Sequence, residues 1–212
     1  STPLYSSAAS DVYKRQQYYG KIKNFPIVNL RIYSAYGPYE DSSRLIPHLC
    51  IESSKKKLPL FANKNTPRDF IHIDDVVSAF ICAATNISES CYGESINIGT
   101  GQETTLLELA NLSKEIFSIS DAPEFSQSIA RAWDTERWFG DISKAKNLIN
   151  WEPSIQLREG LIATEKWWRD LEDHTKISSF SKKDGVKNKQ SITAIVACYK
   201  DCLLYTSDAA DE

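Results

Sequence analysis

The chain has 212 residues, a formal net charge of −3, 42% hydrophobic residues and 25% charged residues, which suits one globular domain or one and a half. This balance does not predict binding to nucleic acid or to an anionic membrane surface, and no apolar run has membrane-spanning length. The five cysteines form no CxxC pair and lack histidines at zinc-ligand spacing, so neither a metal site nor a disulfide framework is expected. We predict a cytoplasmic chain without membrane insertion.

Both ends of the chain are expected to be foreign to the folded protein. Residues 6–16 resemble a direct translation of a transposase-type sequencing adapter. Residues 202–212 are what the reverse complement of that DNA encodes when it is read one base out of phase, and two unrelated peptides would not encode each other. We therefore assign 1–16 and 202–212 to the adapter and exclude them from the fold prediction. The natural insert is expected to be a fragment cut at both ends.

The first half of the insert predicts a parallel α/β arrangement. Residues 25–33 are almost continuously apolar, as in a strand that is buried on both faces of a parallel sheet. Residues 34–38 are predicted to form a loop after this strand, where open α/β sheets bind ligands. Residues 44–51 predict an amphipathic helix, and the lysine run 55–57 is expected to cap its C-terminus in solvent. Residues 58–61 predict a short edge strand, because a proline interrupts them.

Residues 66–80 combine a cation, a short strand and the start of a helix. The apolar residues of this stretch predict a strand, and Asp74 stands at the expected N-cap of a helix that runs to about Thr85. Arg68 precedes the strand, and its planar guanidinium suits bidentate contact with a phosphate or a carboxylate. A surface ion pair between Arg68 and Asp69 is the alternative, and the spacing alone favours neither interpretation.

The glycines of residues 94–101 predict a turn after another strand rather than a phosphate cradle, because no GxGxxG follows them. Thr105 and Glu108 have the spacing of a capping box for a helix over 106–117.

Two further helices are predicted over residues 141–148 and 157–171. The serine- and lysine-rich residues 174–190 lack apolar periodicity and predict a linker.

The order of these features resembles the C-terminal half of the extended short-chain dehydrogenase/reductases, the NAD(P)-dependent nucleotide-sugar epimerases and dehydratases. The resemblance covers about residues 17–171 and rests on six segments in the family's order: 30–38, 44–47, 58–61, 68–75, 96–99 and 149–153. It implies an α/β fold, the C-terminal part of a Rossmann-like extended short-chain dehydrogenase/reductase over residues 17–173. This part would hold the last parallel strands and a small α/β substrate domain.

The resemblance also implies a site for a nucleoside-diphosphate sugar. Arg68 matches the arginine that contacts the diphosphate, and Arg131 with Asp134 matches the pair that closes over the diphosphate and the ribose. Two arginines from separate loops suit a diphosphate in charge and geometry. The remaining matches are Phe61 against the nucleoside, Leu45 and Ile46 at the start of the helix lining the nucleotide pocket, and Ser34, with Tyr33 beside it, near the sugar and the nicotinamide.

The family's chemistry is hydride transfer to and from bound NAD or NADP, assisted by a Tyr and Lys pair and a Ser or Thr. These catalytic groups are expected upstream of Gln17, so the resemblance implies that the chain as given is inactive and binds the cofactor poorly. The intact parent is expected to be a homodimer.

Asp74 and Asp75 are interpreted as capping residues and His72 as a strand residue. The alternatives are a non-catalytic nucleotide-sugar-binding or regulatory domain, and a scaffold domain with surface arginines.

Residues 191–201 resemble the first strand of a family 2 glycosyltransferase, and a stray β-strand is the alternative. A fusion of this kind would place the parent protein in glycan or polysaccharide assembly.

Overall fold

The computed structural model of the protein describes residues 14–126, 137–171 and 195–200, the last of these by its backbone only. The central sheet of these residues is parallel and has β1 (Ile27–Ile32) between β5 (Ser95–Ile98) and β7 (Ile195–Lys200), numbered in chain order. Ile32 pairs with Ile98, and Ile27 pairs with Ile195. The predicted parallel sheet is thus confirmed. A strand is also confirmed for 195–200, while its assignment to a second domain stays a prediction.

The first strand is buried as its apolar sequence predicts. Val28 and Leu30 are fully buried, and Asn29 between them is only 1% exposed. The side-chain oxygen and nitrogen of Asn29 have no hydrogen-bond partner among the described residues. This polar residue is therefore an exception within a strand that hydrophobic burial otherwise explains.

Two expectations about the following segments are wrong. Residues 34–36, predicted as a loop, form β2 (Ser34–Tyr36), which pairs in parallel with β4 (Phe70–His72) in a second sheet. Residues 58–61 form no strand, and only Phe61 makes an isolated bridge, with Phe125. Pro59 lacks the N–H group that a strand ladder requires. A short antiparallel pair joins β3 (Pro67–Arg68) to β6 (Thr104–Thr105).

The helices agree with the predicted pattern, and the first of them contains most of residues 17–23, which were expected to be the tail of a helix. They are α1 (residues 14–21), α2 (Leu45–Ser54), α3 (Ile73–Thr85), α4 (Leu106–Phe117), α5 (Ser143–Ile149) and α6 (Leu157–Asp170), with a 3₁₀ turn at Glu89–Cys91. The capping box of α4 is confirmed, since Glu108 N donates to Thr105 Oγ1 and Thr105 N donates to Glu108 Oε2. Lys56 Nζ donates to Phe117 O at 2.7 Å. The lysine run after α2 therefore also caps the end of α4.

The cap of α3 differs from the prediction. His72, not Asp74, is the N-cap, because its Nδ1 accepts the Asp74 N–H at 3.3 Å. Asp74 lies in the first helical turn, where its charge favours the helix dipole. Asp75 is buried and instead accepts hydrogen bonds from Ser154 N, Ser154 Oγ and Ile155 N. The expectation that His72 is a strand residue is confirmed, since it ends β4.

The buried side chains form two hydrophobic clusters. The first packs one face of β1 and β5 against α3 and α5, and its fully buried members include Val28, Leu30, Ile71, Ile96, Ile98 and Ile149. The second lies among α2, α4 and α6 and includes Tyr36, Leu49, Phe61, Leu109, Leu161 and Trp168. The strands β2 and β4 contribute to both clusters. They thereby join the parallel sheet to the helical part of the chain.

Candidate functional site

The carboxyl ends of β1 and β5 meet the start of β4 at one edge of the structure. Tyr33, which follows β1, donates its N–H to Ile98 O at the end of β5. Ser34 N donates to Asp69 O, which brings the residue before β4 to the same edge. Crevices outside the carboxyl ends of parallel strands are the usual ligand sites of open α/β sheets. The predicted site residues are therefore expected at this edge.

The side chain of Asp69 organises this edge. It is fully buried, and its Oδ1 accepts from Thr100 N at 2.7 Å and from Thr100 Oγ1 at 2.6 Å. Its Oδ2 accepts from Gly101 N at 3.1 Å and from Gly140 N at 3.0 Å. A buried carboxylate requires such donors to offset its lost hydration. One side chain thus connects β4, the turn after β5 and the segment that precedes α5.

These contacts determine the role of the turn at residues 99–101. The Thr100 and Gly101 amides, the donors that would hold a phosphate in a glycine-rich turn, bond to Asp69. A Cβ at Gly99 would lie 2.5 Å from Asp69 Oδ2, so glycine is needed for the carboxylate to approach. The turn is consequently a structural one, as predicted, and it is not built for the pyrophosphate of a dinucleotide.

Arg68 lies beside this cluster, on β3. Its side chain is half-buried, and its Nη1 donates to Pro67 O at 2.7 Å. The carboxylate oxygens of Asp69 accept hydrogen bonds from Thr100, Gly101 and Gly140, and within residues 14–126 and 137–171 no ion pair joins them to Arg68. The structure thus disfavours the surface ion pair that the sequence left open.

The other predicted site residues are placed differently from one another. Phe61 is 1% exposed and packs on Phe125 with ring centroids 5.7 Å apart, so its ring belongs to the second hydrophobic cluster. Ile46 is 3% exposed and belongs to the same cluster, and Leu45 packs against it. Ser34 is half-buried in β2. The structure brings Tyr33 and Ser34 next to Asp69 but places Phe61, Leu45 and Ile46 in the helical core.

Arg131 and Asp134 lie outside the described residues, but the segments on both sides of them are fixed. Before them, Ser126 N donates to Phe61 O at 2.8 Å. After them, Trp138 N donates to Glu103 Oε2 at 2.9 Å and Gly140 N donates to Asp69. The described chain therefore ends beside Phe61 at residue 126, and where it begins again it is held by Glu103 and Asp69.

Tyr33 also packs against the segment 137–141. A Cβ at Gly140 would lie 2.8 Å from Tyr33 Cε2, and the Tyr33 and Trp138 rings meet edge to face at 6.5 Å. Sequence reasoning missed Asp69, Glu103 and Gly140 as organising residues. For Asp69, the available signal was its position directly after Arg68, and Asp69 was considered only as an ion-pair partner of that arginine.

The titratable groups near β4 are not poised for catalysis. Burial lowers the pKa of His72, although the charges of Asp74 and Asp75 oppose that shift. Burial raises the pKa of the Tyr36 phenol, and the charge of Asp75 adds to the effect. Both groups are therefore neutral near pH 7 and packed together, with ring centroids 5.4 Å apart. The interpretation of His72 as a structural residue fits this environment.

The described part of the chain contains no group of three or more His, Cys, Asp or Glu side chains arranged to hold a metal ion. Within the same residues, no helix is both long and apolar enough to cross a membrane.

Comparison with known proteins gives consistent relatives. Residues 4–99 match the NAD dependent epimerase/dehydratase family. The chain is 33% identical over 134 residues to UDP-glucuronic acid decarboxylase 1 of Arabidopsis thaliana, covering 62% of this chain and 29% of that protein. It is 27% identical over 174 residues to the dTDP-D-glucose 4,6-dehydratase of Mus musculus, covering 80% of this chain and 48% of that protein.

A solved structure agrees with these matches. The UDP-glucuronic acid 4-epimerase of Bacillus cereus, in complex with UDP-glucuronic acid and NAD, superposes with a TM-score of 0.60 at 28% identity over 69% of this chain and 46% of that one. The predicted fold class is confirmed: an α/β, Rossmann-like short-chain dehydrogenase/reductase fold, present in part. The chain spans less than half the length of these three relatives. The family match begins at residue 4, and the adapter origin of residues 1–16 stays a prediction.

Proposed function

We propose that the chain is the nucleotide-sugar-binding part of an NAD(P)-dependent nucleotide-sugar epimerase or dehydratase, which supplies precursors for glycan or polysaccharide synthesis. The observation that carries this proposal is the position of Arg68. It lies beside the carboxyl ends of parallel strands, on a backbone held by Asp69, in a chain whose relatives act on nucleotide sugars. A half-buried guanidinium on a fixed strand suits a diphosphate, because its donors are already oriented.

Arg131 and Asp134 are proposed to complete the site. In this proposal Arg131 supplies the second cation for the diphosphate, and Asp134 accepts hydrogen bonds from the ribose hydroxyls. The anchored segments on either side of these two residues support their placement near Arg68. Ser34 is proposed to face the sugar, and Leu45, Ile46 and Phe61 to support the wall of the nucleotide pocket from the core.

A binding titration tests the site. UDP-, dTDP-, GDP- and CDP-sugars are titrated into the 212-residue chain by calorimetry. The titration with the nucleotide sugar that binds is then repeated with the Arg68→Ala and Arg131→Ala variants. Loss of one charge-assisted contact to the diphosphate is expected to weaken binding by about ten- to one-hundredfold. Arg169→Ala is the matched control, since Arg169 pairs with Glu165 on α6. Unchanged affinity in both site variants would remove this assignment.

NAD(P), when bound, supplies the hydride transfer of the proposed reaction. The described residues that neighbour the expected nicotinamide position are Tyr33 and Ser34, while the turn at 99–101 has its amides bonded to Asp69. We therefore expect weak cofactor binding by the chain as given and no turnover of UDP-glucose in the presence of NAD. Coupled product assays with the purified chain test this expectation, and measurable epimerised or dehydrated product would contradict it.

A further inference from the structure

Two buried carboxylates flank the three-residue strand β4, and they hold different parts of the chain. The Asp69 carboxylate, before the strand, accepts four hydrogen bonds from Thr100, Gly101 and Gly140. Asp75, after the strand, accepts three hydrogen bonds from Ser154 and Ile155. Asp69 is 0% and Asp75 2% exposed to solvent. The two residues therefore match in charge and burial but differ in what they connect.

We propose that Asp69 is a positioning residue of the nucleotide-sugar site, which sets the place of Arg68 relative to the turn at 99–101 and the segment 137–141. This inference rests on the proposed function of the site. Asp69 acts through its neighbours, since its carboxylate oxygens are occupied by protein donors. Its backbone participates as well, because Asp69 O accepts the N–H of Ser34.

Asp69 links the segment 137–141 to Arg68, the residue that precedes Asp69. Arg68 is adjacent in sequence, so a shift of the Asp69 backbone moves the guanidinium with it. The segment 137–141 is held by Asp69 through Gly140 N, by Glu103 through Trp138 N, and by Asn97 Nδ2, which donates to Asp141 O at 3.1 Å. Asp69 ties the segment directly to the residue next to Arg68, whereas Glu103 does so only through its neighbour Thr104, which pairs with Arg68.

The surrounding residues are shaped to admit this carboxylate. A Cβ at Gly99 would contact Asp69 Oδ2 at 2.5 Å and Tyr33 Cδ2 at 3.2 Å, and a Cβ at Gly140 would contact Tyr33 Cζ at 2.9 Å. Two glycines thus let two backbones approach the Asp69 and Tyr33 side chains. Gly140→Ala would push its segment away from Tyr33 while leaving the carboxylate in place, and so it tests the same arrangement from the other side.

Asp69→Asn is compared with Asp75→Asn in the 212-residue chain. Each variant keeps the shape of the side chain but turns one carboxylate oxygen into an NH₂ donor, which faces the N–H groups it should accept from. Both variants are expected to lower the unfolding temperature. At a temperature where all proteins are folded, Asp69→Asn and Gly140→Ala should raise the Kd of the bound nucleotide sugar by about tenfold or more, and Asp75→Asn by less than about twofold.

Equal Kd changes in Asp69→Asn and Asp75→Asn would overturn the proposal, since a loss of general stability would then explain both. Hydrogen exchange gives a readout that needs no ligand. Asp69→Asn should speed exchange at the amides of 99–101 and 137–141, and Asp75→Asn at 154–155. If the wild-type chain binds none of the four nucleotide sugars, the proposed function fails by itself. The exchange pattern then decides whether Asp69 couples these segments, and unchanged exchange at both of them would overturn that coupling.

Discussion

The close approach of α6 to β2 makes Gly160 sensitive to substitution. Gly160, inside α6, lies against the ring of Tyr36 at the end of β2. A Cβ at Gly160 would overlap Tyr36 Oη and lie 2.9 Å from Tyr36 Cζ and 3.2 Å from His72 Cδ2. Tyr36 is 2% exposed and packs edge to face against Phe70 and His72. The ring therefore has little room to move away from an added methyl group.

The magnitude for Gly160→Ala follows from two opposing effects. Alanine favours a helix interior over glycine by about 1 kcal/mol, whereas overpacking a buried site costs about 1–3 kcal/mol. Because the overlap is with a ring that is enclosed on several sides, we place the packing cost near the upper value. The free energy of unfolding should fall by about 2 kcal/mol, which corresponds to roughly 4–8 °C in Tm for a chain of this size.

Urea unfolding followed by tryptophan fluorescence measures this change, since Trp167 and Trp168 lie in α6. Tyr36→Phe removes the overlapping oxygen, which has no hydrogen-bond partner among the described residues, and alone it should be nearly neutral. In the Gly160→Ala background it should recover roughly 1 kcal/mol. Lys166→Ala, on the exposed side of α6, is the control. Stability of Gly160→Ala equal to or above wild type would refute the packing argument, as would a double variant without recovery.

Two further predictions concern buried titratable groups. Because burial lowers the pKa of His72 in the folded chain, the unfolded chain binds more protons at acidic pH. The free energy of unfolding should therefore reach its full value above a pH of about 6.5 and should decline as the pH falls below it. The slope of the unfolding free energy against pH that one group contributes is at most about 1.4 kcal/mol per pH unit. His72→Asn, which keeps an acceptor for the Asp74 N–H, should reduce this slope, and His48→Asn, at an exposed position, should not. If both variants keep the slope, His72 is not its source. Burial also raises the pKa of the Cys50 thiol to about 12, so iodoacetamide at pH 8 should modify half-buried Cys82 in the native chain and leave Cys50 intact. Equal labelling in peptide mass maps would contradict this.

The features that were predicted correctly from the sequence are local in character. The apolar run of β1 predicts burial in a parallel sheet, and the spacing of Thr105 and Glu108 predicts the capping box that the structure contains. Each depends on residues within a few positions of one another, where periodicity and capping chemistry are informative. The helix α6 was predicted over residues 157–171 for the same reason, and its residues Leu161 and Trp168 are buried.

The features that were missed depend on distant parts of the chain. Ser34 was predicted to start a loop, since its strand partner, Phe70, is distant in sequence. Asp75 was predicted to be a cap, since the residues that donate to it, Ser154 and Ile155, are also distant. The role of Asp69 requires Thr100, Gly101 and Gly140 to be adjacent, which no local pattern encodes. A carboxylate next to an arginine suggests an ion pair, and only the fold shows that nearby amide donors occupy its oxygens instead.

The stretch from Arg68 to Asp75 shows how binding and stability are divided within a few residues. A strand of three residues, Phe70–His72, has too few ladder bonds to hold its own ends, and the buried carboxylates on either side would be unfavourable without donors. The donors come from loops, so each carboxylate fixes the strand and a loop together. On the Asp69 side the fixed loops are bonded to the residue that follows Arg68, and on the Asp75 side they lead into α6. Loss of Asp75 should therefore cost stability, whereas loss of Asp69 should cost stability and the alignment of the diphosphate contact.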